Sequence, residues 1–174
     1  MPDLLRGGIV INEILVDPNG SQNFDTDGDG IARGGDEFVE LRNTSSSSID
    51  ISGLELWDAG RDNWFTFPPG TVLEPGAHAL VVRNVQGSGS LPSVSGDDLA
   101  FDADFSTGDV FNNTGDNVVV YDPDADTFIQ ATYNEDTLDD PTATPPNTYL
   151  DFSATATRIG DSEAFGPDQD GRSI

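Results

Sequence analysis

An antiparallel β-sandwich is the fold class this sequence predicts, and three observations carry the prediction. Apolar residues come in short, β-branched runs that alternate with polar ones. Clusters of Gly, Pro, Asn and Asp separate the runs. No stretch repeats its apolar residues with the period of a helix. Roughly eight to ten strands at such spacing must cover one another's apolar faces, and two stacked antiparallel sheets do so.

The first predicted strand is Ile9 to Val16, followed by the turn residues Asp17-Pro-Asn-Gly20 and an acidic loop that ends at Asp36. Glu37 to Arg42 is the second strand, and Asn43 to Ser48 a polar turn. Ile49 to Ile51, Leu54 to Trp57 and Trp64 to Phe67 are each of strand length. After Pro68-Pro-Gly70 and Glu74-Pro-Gly76, Ala77 to Arg83 is almost continuously apolar, which predicts a buried, mid-sheet strand. Asn84 to Asp98, rich in Gly and Ser, reads as a long surface loop and as the segment best suited to disorder. Leu99 to Phe105 is expected at a sheet edge. Asn117 to Tyr121 and Thr127 to Tyr133 form a hairpin across Asp122 to Asp126. Asn134 to Thr148, with several prolines, is another loop, and Ala156 to Ile159 a last strand before an acidic tail.

The chain of 174 residues fits one domain. We read residues 9–174 as that domain, with an acidic loop at 17–36, and residues 1–8 as an N-terminal stub or linker. The formal net charge is −25; all seven basic residues are Arg, and Asp far outnumbers Glu among the 32 acids. Like charges at this density repel unless salt screens them or cations bind, so the composition points to a saline medium, divalent-cation binding, or both. It also argues against direct nucleic-acid binding, which needs clustered Lys and Arg. With no cysteine, disulfides and thiolate metal sites are impossible. No apolar run is long enough to span a membrane. The first residues lack the pattern of a signal peptide.

The motifs "IVINEILVDP", "DEFVELRN", "IDISGLELWD", "FTFPPGTVLEPGAHALVV" and "FNNTGDNVVVYDP" occur in this order and spacing. Together they resemble a bacterial lamin tail domain, over about Ile9 to Ile159. The resemblance implies an immunoglobulin-like sandwich, used in bacteria as an accessory module of secreted or cell-surface proteins for adhesion, docking or spacing. It implies no catalytic residues. In this chain Leu54 stands where the family usually has Trp, and Trp57 where a small polar residue is common, so the packing there is expected to be rearranged.

Calcium binding rests on the acidic loop itself. Asp25, Asp27 and Asp29 occupy positions one, three and five of a calcium-loop register, with Gly30 at six, Ile31 at seven and Asp36 at twelve. Calcium takes six to eight hard oxygens, so alternating Asp side chains converge on one point. The Gly permits the turn, the seventh residue gives a carbonyl, and the twelfth closes the shell. The expected ligands are therefore Asp25, Asp27, Asp29, Ile31 through its carbonyl, and Asp36. Glu37 and Asp17 are second-rank replacements or supplements. Position twelve is Asp rather than Glu and strands flank the loop, so this is not an EF-hand. Magnesium, which prefers water and strict octahedral geometry, suits the loop less well. The competing reading is a solvated Asp/Gly turn without a cation.

Weaker signals carry their own alternatives. Asp122, Asp124 and Asp126 fit turn chemistry better than an ion site. Asp168 and Asp170 repeat part of the calcium pattern with few ligands after them. His78 has no second His and no Cys to complete a zinc site. The chain has no nucleophile-elbow motif, and a carboxylate-pair glycosidase would need a cleft that a small sandwich seldom builds, so no enzyme is expected. Trp57, Trp64 and Tyr149 offer a second functional class, a carbohydrate-binding module; its test is whether these rings face solvent or fill the core. The expected partners are calcium and an unidentified protein or surface polysaccharide, and the expected isolated state is a monomer.

Overall fold

A computed structural model describes residues 5, 7–20, 22–143 and 149–174. The expected 1–8 stub and 134–148 loop therefore lie partly outside the described residues. In chain order the strands are β1 (Ile9–Leu15), β2 (Phe38–Asn43), β3 (Ile49–Asp50), β4 (Glu55–Asp58), β5 (Asp62–Thr66) and β6 (Val72–Leu73). They continue with β7 (His78–Val82), β8 (Leu99–Asp102), β9 (Asp116–Asp122), β10 (Thr127–Tyr133), β11 (Thr157–Arg158) and β12 (Glu163–Ala164). A 3-10 turn, Gly34–Asp36, precedes β2.

One sheet runs β1-β2-β7-β8 and the other β11-β10-β9-β4-β5, with β12 also on β10; β3 and β6 form a separate ribbon. The central ladders are antiparallel, as the sequence predicts. Parallel pairs appear only at the margins, β7 with β8 and β10 with β11 and β12. The tail thus adds β12 beyond the expected last strand. As expected, β7 is interior to its sheet and β8 is at an edge.

The main core lies between the sheets, with Ile9, Ile11, Ile14, Val39, Leu41 and Val81 from one and Leu56, Trp64, Val118, Val120 and Tyr133 from the other. In β1 the inward residues change phase from 9 and 11 to 14, because a bulge between Ile11 and Glu13 absorbs one residue. Leu5 is also in this core, 4% exposed, so the packed unit begins before Ile9. A second cluster sits on the outer face of the second sheet, where Trp57, Val119, Tyr121 and Phe128 are covered by Tyr149 and Phe152. β9 is consequently buried along its whole length. The strand buried on both faces is β9, not β7, which has partly exposed residues. Among the described residues no helix is long and apolar enough to cross a membrane.

Candidate metal centre

Up to the 3-10 turn at its end, the acidic loop that joins β1 to β2 is irregular, because its Asp side chains take the backbone N–H groups that a strand would pair. Asp25 Oδ1 accepts from Gly28 N (2.8 Å) and Oδ2 from Gly30 N (2.8 Å). Asp29 Oδ1 accepts from Ile31 N (2.8 Å), while its other oxygen pairs with the Arg33 guanidinium. Asp27 Oδ1 accepts from Asp29 N (3.0 Å). These turns aim three carboxylates the same way. Among the described residues, ligand oxygens of Asp25, Asp27 and Asp29 lie within 4.8 Å of one another.

Two further elements fix this cluster. The first is Asp36, whose Oδ1 accepts from Thr26 N (2.8 Å) and Asp27 N (3.1 Å) and whose Oδ2 accepts from Arg33 N (2.9 Å). Thr26 Oγ1 returns a bond to the Asp36 carbonyl (2.8 Å). The second is the segment after β7. Gln86 N donates to Asp27 Oδ2 (2.7 Å), Ser90 N donates to the Asp27 carbonyl (2.8 Å), and Asn84 N to Gly35 O (3.1 Å). Asp27 is left only 4% exposed. Gly87 and Gly89 make the approach possible: a Cβ on Gly89 would stand 2.5 Å from the Asp27 carboxylate carbon, and one on Gly87 2.8 Å from Asp29 Oδ2. The expectation that Asn84 to Asp98 is a disordered loop is thus corrected, since its first residues form a wall of the acidic site. The signal was in the sequence as two glycines spaced to meet two aspartates, but only the β7 register brings them together.

The expected ligand set does not gather as a whole. Ile31 belongs to the loop and is 56% exposed. Asp36 lies outside the close group and serves as the loop's backbone acceptor, which is a correction of its expected place beside the other three. Burial raises the pKa of its carboxyl, and the N–H donors oppose the rise. Glu37 does not join the loop either, because strand alternation turns it inward, where it is 2% exposed. It meets Arg83 Nη1 (3.4 Å) and Val110 N (3.4 Å). Asp17 faces the tail instead: Gly171 N donates to its carbonyl (2.6 Å), and burial together with Asp170 and Asp168 raises its carboxyl pKa.

The family model of the lamin tail domain matches residues 5–135, well over half of the chain. The chain belongs to the lamin tail domain family. No curated protein and no solved structure gives a significant match. The family is a non-enzymatic, immunoglobulin-like one, and the acidic loop, its Gln86–Ser90 wall and the inward carboxylates all lie inside the matched span.

This lamin tail domain also holds an acidic group that no sequence pattern announces. Asp58 is 1% exposed, and its Oδ1 has no hydrogen-bond partner among the described residues. Burial, then the neighbouring Asp116, pushes its pKa up to about 9, against the pull of Arg61. Asp116 accepts from Asn112 N (3.1 Å) and Asn112 Nδ2 (2.7 Å), and burial outweighs these bonds to raise it to about 6. Glu37 is raised to about 8, because burial outweighs the Arg83 cation.

Other sequence candidates are structural. Asp122 Oδ1 accepts from Asp124 N (3.0 Å) and Ala125 N (3.2 Å), the turn chemistry expected. Asp126 accepts from Tyr121 Oη (2.9 Å) and Thr155 Oγ1 (2.6 Å). His78 Nδ1 lies 3.2 Å from Asp98 Oδ1. Trp57 is 6% exposed, Trp64 4% and Tyr149 2%. Those burials remove the sugar-stacking platform, and Trp57 instead anchors the outer cluster, edge-on to Phe152 at 5.1 Å. Leu54 fills the main core and Trp57 the second.

Proposed function

We propose that this lamin tail domain is a non-catalytic docking or spacing module of a secreted or cell-surface protein, held in its working shape by one calcium ion. The reading rests on a single observation, the convergence of the Asp25, Asp27 and Asp29 carboxylates within 4.8 Å on a loop fixed by Asp36 and Gln86. Three carboxylates at that spacing repel, and a divalent cation turns the repulsion into attraction. Flexible oxygen-rich geometry suits calcium, and the loop carbonyl of Ile31 is a fourth oxygen donor within the same register. Calcium bound to Asp27 also braces the β1–β2 loop against the segment after β7. The Asp-rich, Lys-free composition supports an extracellular or saline setting, where millimolar calcium is available.

With a dissociation constant of ~0.1–1 mM, as in extracellular modules, ~10 mM calcium stabilises the fold by roughly 1.4–2.7 kcal/mol. The test is a melting curve with calcium, with magnesium and with chelator, paired with a calorimetric titration of wild type and Asp27→Ala. Calcium is expected to raise the Tm of the wild type alone. Identical curves in calcium and chelator would sink the proposal.

A further inference from the structure

The two sheets leave an opening along one side of the sandwich. β1 is the outer strand of its sheet. Its outward backbone meets the tail at Ile14, which exchanges two hydrogen bonds of 2.9 Å with Ile174. Across from it, β10 is paired on its outer edge by β11 at Thr127 and Phe128 and by β12 at Ala131 and Thr132. The pairing skips Ile129 and Gln130, where the chain bows away through Gly160 and Asp161. The result is a groove of about 310 Å³ between two incompletely paired strand edges.

Its chemistry is asymmetric. Ile9, Ile11, Ile129 and Ile159 line the interior, and among the described residues Asp161 and Glu163 are the charged ones of its lining. Both carboxylates are in exposed positions. No aromatic ring lines the groove, so it offers a sugar no stacking surface. A second copy of this chain, also carrying −25, would bring like charge to an acidic rim. Partly unpaired strand edges accept an extended backbone, aliphatic walls accept alternate side chains of that strand, and an acidic rim selects cationic neighbours.

We propose that this groove docks an extended segment of a partner protein in which aliphatic residues alternate with Lys or Arg, added as a strand along β1. The proposal deepens the docking role given above and is independent of calcium, since none of the three clustered aspartates lines the groove.

The probe is the acetylated peptide Lys-Val-Lys-Val-Lys-Val-Lys, titrated into the whole chain at physiological salt and followed by amide NMR shifts and calorimetry. Saturable binding is expected, with the largest shifts at Val10, Ile11, Ile129 and Gln130. The same peptide with Glu for Lys, or with Pro for its central Val, is expected not to bind. Asp161→Lys with Glu163→Lys, both exposed, should weaken binding about tenfold or more while leaving the Tm unchanged. Ile159→Lys should abolish it, and the exposed double variant keeps the test valid if that substitution unfolds the chain. Binding that does not saturate, that survives the double variant, or whose shifts centre on Asp25 to Asp29 would overturn the proposal. So would shifts in the groove caused by self-association without peptide. Running each titration in calcium and in chelator separates the two proposals: loss of the calcium effect on Tm with peptide binding intact refutes only the ion site.

Discussion

Two groups of carboxylates in this domain meet the same electrostatic problem in opposite ways. Asp25, Asp27 and Asp29 crowd together on the β1–β2 loop, where Asp25 and Asp29 are half-buried and Asp27, only 4% exposed, has its oxygens held by backbone N–H groups. Glu37, Asp58 and Asp116 are nearly inaccessible, with Arg83 as the cation paired to Glu37 and Arg61 near Asp58. Burial there raises the pKa of all three. The loop group is suited to a metal and the interior group to protons. Residue type alone does not decide which fate a carboxylate has; burial together with the hydrogen-bond donors around it does.

The sharpest way to break this comparison is pH. A carboxyl whose folded pKa is raised keeps its proton in the native state while the unfolded chain has already lost it. Its contribution to stability is whole below the ordinary carboxylate range and is lost as pH rises to the folded value. For Asp58 that window runs from the ordinary carboxyl value of 3.8 up to about 9, and for Glu37 from 4.5 to about 8. Each such group costs up to about 1.4 kcal/mol per pH unit inside its window. Chemical denaturation of Asp58→Asn is therefore expected to lose less stability than wild type between pH 5 and pH 8, by up to about 4 kcal/mol. Parallel curves for the two proteins would show Asp58 to be ionised in the folded state.

A smaller effect separates ligand from closer at Asp36. Replacing it with Asn disturbs three backbone N–H bonds, and should cost about 1–3 kcal/mol even in chelator. A variant as stable as wild type in chelator, yet without the calcium increment, would make Asp36 a ligand instead. Gly89→Ala drives a Cβ against Asp27 and is expected to cost about 1–2 kcal/mol and to weaken calcium binding in the same titration. The smallest change is at Arg33, whose guanidinium occupies an Asp29 oxygen. Arg33→Gln removes that competitor and should tighten calcium binding by about threefold in calorimetry. Weaker binding would mean that Arg33 orders the loop for the ion.

Alternation and turn residues alone determined most strands of this protein, since a half-buried strand must show its period in sequence and Gly, Pro, Asn and Asp must stand where the chain reverses. The spacing of Asp25, Asp27 and Asp29 likewise determined their convergence, because short-range Asx turns need no distant partner. Tertiary structure decided the rest. Asp36 and Glu37 are neighbours in the chain, yet one faces the loop and the other the core, a division set by where β2 begins. Trp57 looks like a sugar platform until Phe152, nearly a hundred residues away, covers it. The Gly87–Ser90 wall, the tail against Asp17 and the proton-holding Asp58 all depend on contacts between residues far apart in sequence. Such contacts set solvation and charge environment, and a linear pattern records neither.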